Sequence, residues 1–261
     1  MTTTSPLTAP RQNSQPTAPA PAAGATGHRL RVATYNIHSC VGLDRRCDPA
    51  RVTDTLLEID ADIIALQEVG WHHRGQPNLD QFAYLAEATG YHVTVGLTKH
   101  HTRAHYGNAL LTREPPASYR RVWLSRPLHI PRAAIDARMT VADTPLRVIN
   151  VHLALSPWER RRQALHLLAM IEHEPDTSVL LLGDFNNWRP QVPAFQALSA
   201  RLPRHVALPT YHARMPRARL DRIYATADWH IDDCQVWRTQ ASAKASDHLP
   251  LVADVTLNGA G

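Results

Sequence analysis

The sequence predicts an α+β or α/β domain in which two β-sheets pack face to face and helices lie outside them. Three observations lead to this fold class. Segments typical of strands outnumber those typical of helices, and the two kinds follow one another in mixed order instead of strict alternation. The stretch 28–258 is also long enough for one sizeable domain, and we find no internal repeat that would divide it.

The first 27 residues differ in composition from the rest of the chain. They consist mostly of Thr, Ala, Pro, Ser and Gly and include no aromatic residue, so they cannot bury enough surface to offset the entropy lost on ordering. We therefore predict a disordered tail over 1–27 and a folded domain over 28–258. The tail lacks the continuous apolar core of a secretory signal, and no apolar run in the chain reaches the about 18 residues of a membrane span.

In the first half of the chain, the pattern predicts strands over 29–37, 62–69, 91–97 and 106–113 and helices over 48–60 and 79–90. The first strand, RLRVATYNI, alternates and is rich in β-forming residues, whereas DIIALQEV is a short apolar run typical of a buried strand. Asp48 is the expected N-cap of the first helix, with Pro49 at its first position. Gly90 is expected to end the second helix.

In the second half, strands are predicted over 133–141, 146–154, 178–185, 219–226, 228–237 and 249–257, and helices over 156–173 and 192–199. The helix over 156–173 has the clearest signals, because Ser156 is a suitable cap and Pro157 stands at its first position. Leu165, Leu168 and Ala169 are expected to share its apolar face.

The formal net charge is +5, which favours an anionic partner such as nucleic acid or a phosphate-bearing surface. A compositional bias is the alternative, since only Lys99 and Lys244 of the 28 basic residues are lysines. The chain has three cysteines, Cys40, Cys47 and Cys234, and this small odd number argues against a disulfide framework. The cysteines also lack the paired spacing of a zinc site. Unpaired cysteines and the missing signal together predict a cytoplasmic protein.

Polar residues recur where the predicted strands begin or end. The stretch VLLLGDFNNW raises the question most clearly, because a buried apolar run turns at a glycine and is followed by Asp and Asn residues. Such residues also favour ordinary turns, so this stretch alone is either a site or a turn. The same pattern recurs at several further strands, however, and the residues concerned are Asn36, Gln67, Glu68, Asn108, His152, Asp184, Asn186, Asp221, Asp247 and His248.

These residue types share a chemistry. Carboxylate and carboxamide oxygens suit a hard divalent cation such as Mg²⁺, and two histidines with further carboxylates supply acid–base groups and the partners that orient them. No Ser or Cys stands in a convincing nucleophile context, and no Gly-rich phosphate loop is present. The pattern therefore indicates metal-assisted attack of water on an electrophile, with a phosphate as the favoured one.

Seven motifs in order resemble the signature set of the endonuclease/exonuclease/phosphatase superfamily. They are ATYNIH, DIIALQEV, YGNALLTR, INVHL, LLGDFNNW, LDRIYAT and SDHLPLVADV, and they span about residues 29–257. The resemblance implies a four-layer α/β/β/α sandwich and makes 28–258 a catalytic domain. It also implies a hydrolase that depends on Mg²⁺ or Mn²⁺ and cleaves phosphoester bonds.

The resemblance implies a metal site and a catalytic turn. By position, Glu68 resembles the principal metal ligand, Asn36 its neighbour, and Asp247 a further carboxylate of the metal site. Asp184 resembles the group that orients or deprotonates the attacking water, and Asn186 the amide that contacts the phosphate. On this basis, GDFNN is the catalytic turn of the family.

Two histidines and three further polar residues complete the expected site. His248 resembles the histidine that contacts the scissile phosphate, and Asp221 the carboxylate that holds it. His152 matches a second histidine, which helps to protonate the leaving group in the deoxyribonuclease-like members. Arg132 is expected to contact substrate phosphate, with an ordinary surface arginine as the alternative. Asn108 either lines the substrate pocket or only caps its strand.

Three other features carry weaker expectations. Arg160, Arg161 and Arg162 stand at the start of a helix, where a solvated face is the favoured interpretation and a nearby anion the alternative. Trp71 and Trp188 follow catalytic strand ends, and we expect them to cover the core instead of stacking on a base.

Three functions remain open from the sequence. The first is a metal-dependent phosphodiesterase, with nucleic acid as the preferred substrate, and the second is a phosphatase or phospholipase acting on small or lipid phosphates. The third is an inactive module that binds polyanions, although no core residue of the motifs is missing. The chain has no evident long insertion between motifs and lacks the tyrosine-bearing motif expected of abasic-site enzymes, which disfavours that activity. We expect a monomer with a phosphoester substrate.

Overall fold

Two β-sheets lie face to face in a computed structural model that describes residues 27–73, 76–101, 104–189 and 191–258. Sheet 1 contains β1 (His28–Asn36), β2 (Ile63–His73), β3 (Gln76–Asp80), β4 (His92–His101), β5 (Ala104–Thr112), β12 (Trp229–Val236) and β13 (Leu251–Leu257). Sheet 2 contains β6 (Ser118–Trp123), β7 (Ala133–Val141), β8 (Thr144–His152), β9 (Ser178–Asp184), β10 (Arg204–Val206) and β11 (Asp221–Ala225).

Both sheets are mixed. Sheet 1 has the strand order β12-β13-β1-β2-β5-β4, with β3 paired to β2, and sheet 2 has the order β10-β11-β9-β8-β7-β6. Each sheet has one parallel pair near its centre, β1 with β2 and β8 with β9. Parallel neighbours end at the same sheet edge, so the C-terminal residues of these strands are brought together.

The helices cover the outer faces of the two sheets. They are α1 (Pro49–Ile59), α2 (Gln81–Thr89), α3 (Pro157–Glu172), α4 (Pro193–Arg201) and the short α5 (Ser242–Ala245). One apolar cluster lies between the sheets, a second lies between sheet 1 and α1 with α2, and a third lies between sheet 2 and α3 with α4. The predicted fold class, a four-layer α/β/β/α sandwich, is therefore confirmed.

The residues that the sequence predicts at the start of α1 and at the end of α2 occupy those positions. The Asp48 side chain accepts a hydrogen bond from the Arg51 amide at the start of α1. Gly90 ends α2 with a left-handed φ of 72°, a conformation that glycine adopts without the steric penalty of a side chain.

The apolar face that the sequence predicts for α3 is wrong for Leu165 and Ala169, whereas Leu168 is partly buried against the cluster between α3 and sheet 2. Leu165 is 44% exposed, and the helix instead buries Gln163, Ala164, Leu167 and Ile171, which recur at helical spacing one residue away. Ser156 stands at the N-cap as predicted, but its side chain makes no capping hydrogen bond. α3 packs against sheet 2 through Ala164, Leu167 and Ile171, and this packing decides which face of the helix is buried.

Three strands lie outside the sequence prediction, namely β3, β6 and β10. β6 is an edge strand whose side chains are nearly all exposed, and β10 has only three residues, so neither has the apolar pattern that identifies a strand. The division into a tail over 1–27 and a domain over 28–258 stays a prediction, because residues 1–26 lie outside the described residues. Among the described residues, no helix is both long and apolar enough to cross a membrane.

Candidate active site

Several of the predicted site residues lie at strand ends in both sheets, whereas Glu68 and Asn108, which the sequence also places at strand ends, lie within β2 and β5. Asn36 is the last residue of β1 and pairs with Gln67 of β2. In sheet 2, His152 and Asp184 are the last residues of β8 and β9 and pair with each other. Asp184 also pairs across the sheet with Asp221, the first residue of β11. The candidate site is thus assembled where the edges of two sheets meet.

Asp184 is the centre of this group. Its Oδ2 accepts a hydrogen bond of 3.0 Å from Asn36 Nδ2, which joins sheet 2 to sheet 1. The same oxygen lies 3.6 Å from His152 Nε2 and 3.8 Å from His248 Nε2. Burial raises the pKa of the Asp184 carboxyl to about 6, although the His248 charge opposes that rise.

The turn that carries Asp184 explains the glycine before it. A Cβ at Gly183 would lie 2.0 Å from the main-chain oxygen of Val151, so only glycine allows β8 and β9 to approach this closely. Beyond the strand, Asn186 has a φ of 49°, and its amide donates 2.8 Å to Asp184 Oδ1. The Asn186 side chain donates 3.0 Å to the Leu153 carbonyl, which fixes the turn against β8.

His248 is hydrogen-bonded to Asp221. Nδ1 of His248 donates 2.8 Å to Asp221 Oδ2, which also accepts from the Thr210 hydroxyl. Burial lowers the pKa of His248, but the charge and hydrogen bond of Asp221, with Asp184 and Asp247 nearby, outweigh it and raise the pKa to about 10. His248 is therefore an imidazolium at neutral pH, with Nε2–H directed toward Asp184.

His152 is in the opposite protonation state. Arg132 Nη1 lies 3.0 Å from His152 Nδ1, and because a guanidinium only donates, Nδ1 must be the acceptor. Burial, and then the charges of Arg132 and His248, hold the pKa of His152 well below its ordinary value. The imidazole is neutral, and its single N–H is at Nε2, facing Asp184 and Glu68.

Arg132 is buried against His152, so it is not the ordinary surface arginine of the alternative interpretation. Its Nε has no hydrogen-bond partner among the described residues. Tyr106 interacts with both Arg132 and Glu68, and burial followed by the Glu68 charge raises the pKa of its hydroxyl. Tyr106 is the first residue of the YGNALLTR motif, but the sequence did not predict it as a site residue.

Glu68 projects from an irregular point in β2. The register between β2 and β5 shifts between Leu66 and Val69, which leaves Glu68 without a partner in β5. Its φ of 56° is left-handed, a strained conformation for a residue with a side chain, and such strain is concentrated at functional sites. Its Oε1 accepts a hydrogen bond of 3.0 Å from Asn36 Nδ2, so the bulge in β2 and the end of β1 place these two side chains in contact.

The donors around Glu68 fit a hard divalent cation. Its side chain is 25% exposed, and among the described residues no Arg or Lys lies within 4.0 Å of its carboxylate. Among the described residues, the one basic side chain within 4.0 Å of the Glu68 carboxylate is His152, and its imidazole is neutral. An accessible carboxylate without a cationic partner is a ligand that Mg²⁺ and Mn²⁺ prefer. The neighbouring Asn36 turns its Nδ2 toward Glu68, and its Oδ1 accepts a hydrogen bond from the His38 amide.

The structure does not join Asp247 to this pair by a hydrogen bond. In the described part of the chain, Asp247 Oδ1 lies 3.8 Å from His38 Nδ1 and 3.4 Å from the Ser246 hydroxyl. The Ser246 hydroxyl donates a hydrogen bond of 2.8 Å to the main-chain oxygen of Asn36. Asp247 is therefore next in sequence to a residue that contacts the Glu68–Asn36 pair, but it makes no hydrogen bond to the pair itself. A second group of potential metal ligands, within 4.8 Å of one another, consists of Asp184, Asp221 and His248. In this group the protonated imidazole of His248 already provides a positive charge between the two carboxylates.

Asn108 and Gln67 bridge the two sheets. Asn108 is buried, and its Nδ2 donates 3.0 Å from β5 to the Ala133 carbonyl of β7, next to Arg132. Gln67 Nε2 donates 2.9 Å to Asn150 Oδ1, and Asn150 donates back to two carbonyls of sheet 1. Asn108 thus does more than cap its strand, and the buried Asn150, inside an apolar strand, was missed by the sequence prediction.

Two weaker expectations are wrong. Arg160 is buried, and its Nη1 donates to the carbonyls of Ala154 and Leu155, so it does not belong to a solvated face. Trp188 is 59% exposed instead of covering the core, and its ring lies edge-on to Tyr211 at 6.0 Å. The Trp71 side chain lies outside the described residues.

Comparisons with known proteins identify relatives of this chain. A family model described as "Endonuclease/Exonuclease/phosphatase family" matches residues 33–248. The chain is 29% identical to the protein YbhP of Escherichia coli K12 over 250 residues, which covers 87% of this chain and 96% of that protein.

Solved structures show the same fold. An endonuclease/exonuclease/phosphatase from Beutenbergia cavernae superposes with a TM-score of 0.74 at 22% identity and covers 89% of this chain and 72% of its own. A mannosyl-6-phosphatase of Bacteroides thetaiotaomicron gives a TM-score of 0.65 at 19% identity, with 87% and 99% covered.

Proposed function

The chain belongs to the endonuclease/exonuclease/phosphatase family, and from this premise we propose that it is a divalent-metal-dependent phosphodiesterase that hydrolyses its substrate with an activated water. Nucleic acid is the substrate class we favour, in keeping with the net charge of +5. The observation that carries the proposal is the position of Asp184 Oδ2, within 4 Å of Asn36, His152 and His248.

In this proposal Asp184 accepts a proton from the attacking water. Its pKa of about 6 leaves it ionised at neutral pH yet more basic than an exposed aspartate. Hydrogen bonds from Asn36 and from the Asn186 amide hold the carboxylate in one orientation. A base that is already oriented loses little entropy in the transition state.

The two histidines supply different donors. His248, protonated by virtue of Asp221, places a positive charge and an N–H where negative charge develops on the phosphate. His152 donates through its neutral Nε2–H, since Arg132 occupies Nδ1. We therefore assign proton donation to the leaving group to His248, and hydrogen bonding to a phosphate oxygen to His152. This proposal reverses the roles that the resemblance implies, in which His248 contacts the phosphate and His152 protonates the leaving group.

Glu68 and Asn36 would hold the cation, with Asp247 as a further carboxylate beside them. A bound Mg²⁺ or Mn²⁺ supplies Lewis acidity that offsets the charge of the phosphate. The fold keeps these two side chains together: the bulge in β2 presents Glu68, and the end of β1 presents Asn36.

A second candidate, hydrolysis of a lipid or small phosphate, is favoured by exposed apolar side chains near the site. Leu128 and Ile130 lie in the loop that leads to Arg132, and Leu155 and Trp158 flank the start of α3. The His129 ring lies 6.3 Å from that of Trp158, so the two segments meet. Apolar side chains exposed together mark surfaces that contact proteins or lipids. The related fold of a sugar phosphatase is also compatible with this second candidate.

The decisive experiment measures hydrolysis by the purified chain with Mg²⁺, Mn²⁺ or EDTA. The substrates are plasmid DNA, an RNA, bis-p-nitrophenyl phosphate, p-nitrophenyl phosphate and a phospholipid. Asp184→Asn is expected to lower kcat by about 10²–10⁴-fold, whereas Asp54→Asn, a matched change at an exposed position of α1, should leave it unchanged. Cleavage of plasmid DNA or RNA supports the first candidate, and cleavage restricted to the phospholipid or to p-nitrophenyl phosphate supports the second. Metal-independent cleavage, or full activity of Asp184→Asn, contradicts both.

A further inference from the structure

A pocket of about 740 Å³ lies next to the candidate active site, and the proposed function does not use it. It is bounded by the turn after β9, by β10 and by the start of β11. Its polar and aromatic lining residues are Asn187, Trp188, His205, Arg217, Arg219 and Arg222. The rest of the wall is formed by small apolar residues.

The pocket has positive charge without a compensating carboxylate. None of its lining residues is acidic. Within the described ranges, no Asp or Glu lies within 4.0 Å of the guanidinium groups of Arg217, Arg219 or Arg222. Three arginines around one concave surface repel each other, and an anion in the pocket would relieve that repulsion.

Two buried donors in the wall lack acceptors. Asn187 and Arg222 are both more than nine-tenths buried, and neither Asn187 Nδ2 nor Arg222 Nε has a hydrogen-bond partner among the described residues. Arg222 is fixed in place, because its Nη2 donates 3.1 Å to the Asn187 carbonyl. A buried N–H without an acceptor is destabilising. Both atoms are shielded from solvent, so the direct contacts with an anion in the pocket come from the exposed side chains of Arg217 and Arg219.

The pocket is adjacent to the candidate active site. Asn187 follows Asn186 directly in the catalytic turn, and Arg222 follows Asp221 in β11. The Trp188 ring contacts Tyr211 at 6.0 Å, and the Tyr211 ring lies 4.9 Å from that of His248. A group bound in the pocket is therefore separated from the scissile phosphate by little more than two aromatic rings.

We propose that this arginine pocket is a second phosphate site, which binds a further phosphate group of the substrate beside the one that is cleaved. The inference rests on the proposed function and narrows its substrate class to phosphodiesters that carry at least one additional phosphate. The exposed face of Trp188 lies between the two positions and is suited to stack on a planar base. An oligonucleotide meets both requirements.

A kinetic test compares dinucleotides that differ only in a second phosphate. Thymidylyl-thymidine is compared with the same molecule phosphorylated at its 5′ or its 3′ end. The native chain should show a KM at least about fivefold lower for one of the phosphorylated forms, and Arg217→Gln/Arg219→Gln should abolish that difference. The matched pair Arg204→Gln/Arg214→Gln, exposed and outside the pocket, should retain it. A KM advantage that survives in Arg217→Gln/Arg219→Gln, or no advantage in the native chain, overturns the proposal.

A binding test separates this proposal from the proposed function. Inorganic phosphate is titrated into the metal-free chain, and the indole N–H signal of Trp188 is followed by NMR, with its assignment taken from Trp188→Phe. A saturable shift should occur in the native chain and in Arg204→Gln/Arg214→Gln, and should need at least about fivefold more phosphate in Arg217→Gln/Arg219→Gln. Saturation without any hydrolysis of dinucleotides supports the pocket and contradicts the proposed substrate. Hydrolysis with no saturable shift refutes the pocket alone.

Discussion

Replacing Asp221 with Asn tests how the site keeps His248 charged. The substitution preserves the size of the side chain and leaves an oxygen for the Thr210 hydroxyl and for His248 Nδ1. It removes the negative charge that, against the effect of burial, raises the pKa of His248 to about 10. Burial is the largest influence on this imidazole and lowers its pKa. Without Asp221 we therefore expect a pKa near or below the ordinary value of about 6.5.

The expected loss of activity follows from the fraction of protonated His248. At pH 8, a pKa of about 10 keeps nearly all of the imidazole protonated, whereas a pKa of about 6.5 leaves roughly 3%. If the charged form is required, kcat/KM should fall about 30-fold at pH 8, and by less than about twofold near pH 6. Between these limits the ratio of native to variant activity should grow about threefold from pH 6 to pH 7 and about eightfold from pH 7 to pH 8.

The assay is kcat/KM for bis-p-nitrophenyl phosphate from pH 5.5 to 9.5 with a constant concentration of metal. Asp54→Asn serves as the matched control, and circular dichroism confirms that each variant is folded. A ratio that stays constant across the pH range would mean that Asp221 orients His248 without controlling its charge. An Asp221→Asn variant as active as the native chain at pH 8 would refute the catalytic role of the imidazolium.

Three further predictions concern the base, the turn and the core of sheet 2. Because burial raises the pKa of Asp184 to about 6, kcat/KM should fall as pH decreases below about 6, a limb that Asp184→Asn should lack in the residual activity. Gly183→Ala places a methyl group 2.0 Å from the Val151 oxygen, so we expect a loss of stability above about 2 kcal/mol, measured as a lower Tm. Asp136→Ala leaves the fully buried Arg147 guanidinium without its carboxylate, and urea unfolding should show a loss of about 3–5 kcal/mol.

The sequence predicts the fold and the catalytic turn because the strands that carry them are long and apolar. β9 is buried throughout, and the glycine before Asp184 marks the end of an apolar run. The same reasoning fails for β6, which is exposed along its length and is a strand only because β7 pairs with it. It also fails for the face of α3, where Leu165 and Leu167 are equally apolar and packing against sheet 2 decides which is buried.

Residues that act through three-dimensional neighbours are the ones that the sequence does not identify. Tyr106 becomes part of the candidate site only because β5 places it between Arg132 and Glu68. Arg222 stands in an apolar strand motif, and nothing in its spacing indicates an anion pocket. Local patterns identify residues at strand ends, whereas residues brought together from different strands need the register of both sheets.

The bridge between Gln67 and Asn150 has a consequence for how the protein loses activity. The candidate site draws Asn36 and Glu68 from one sheet and Asp184 from the other, and the amide pair joins these two supports beneath the site. Neither sheet alone contains enough of the constellation to work. Thermal inactivation should therefore coincide with the cooperative unfolding of the whole domain, and no fragment that retains a single sheet should keep partial turnover.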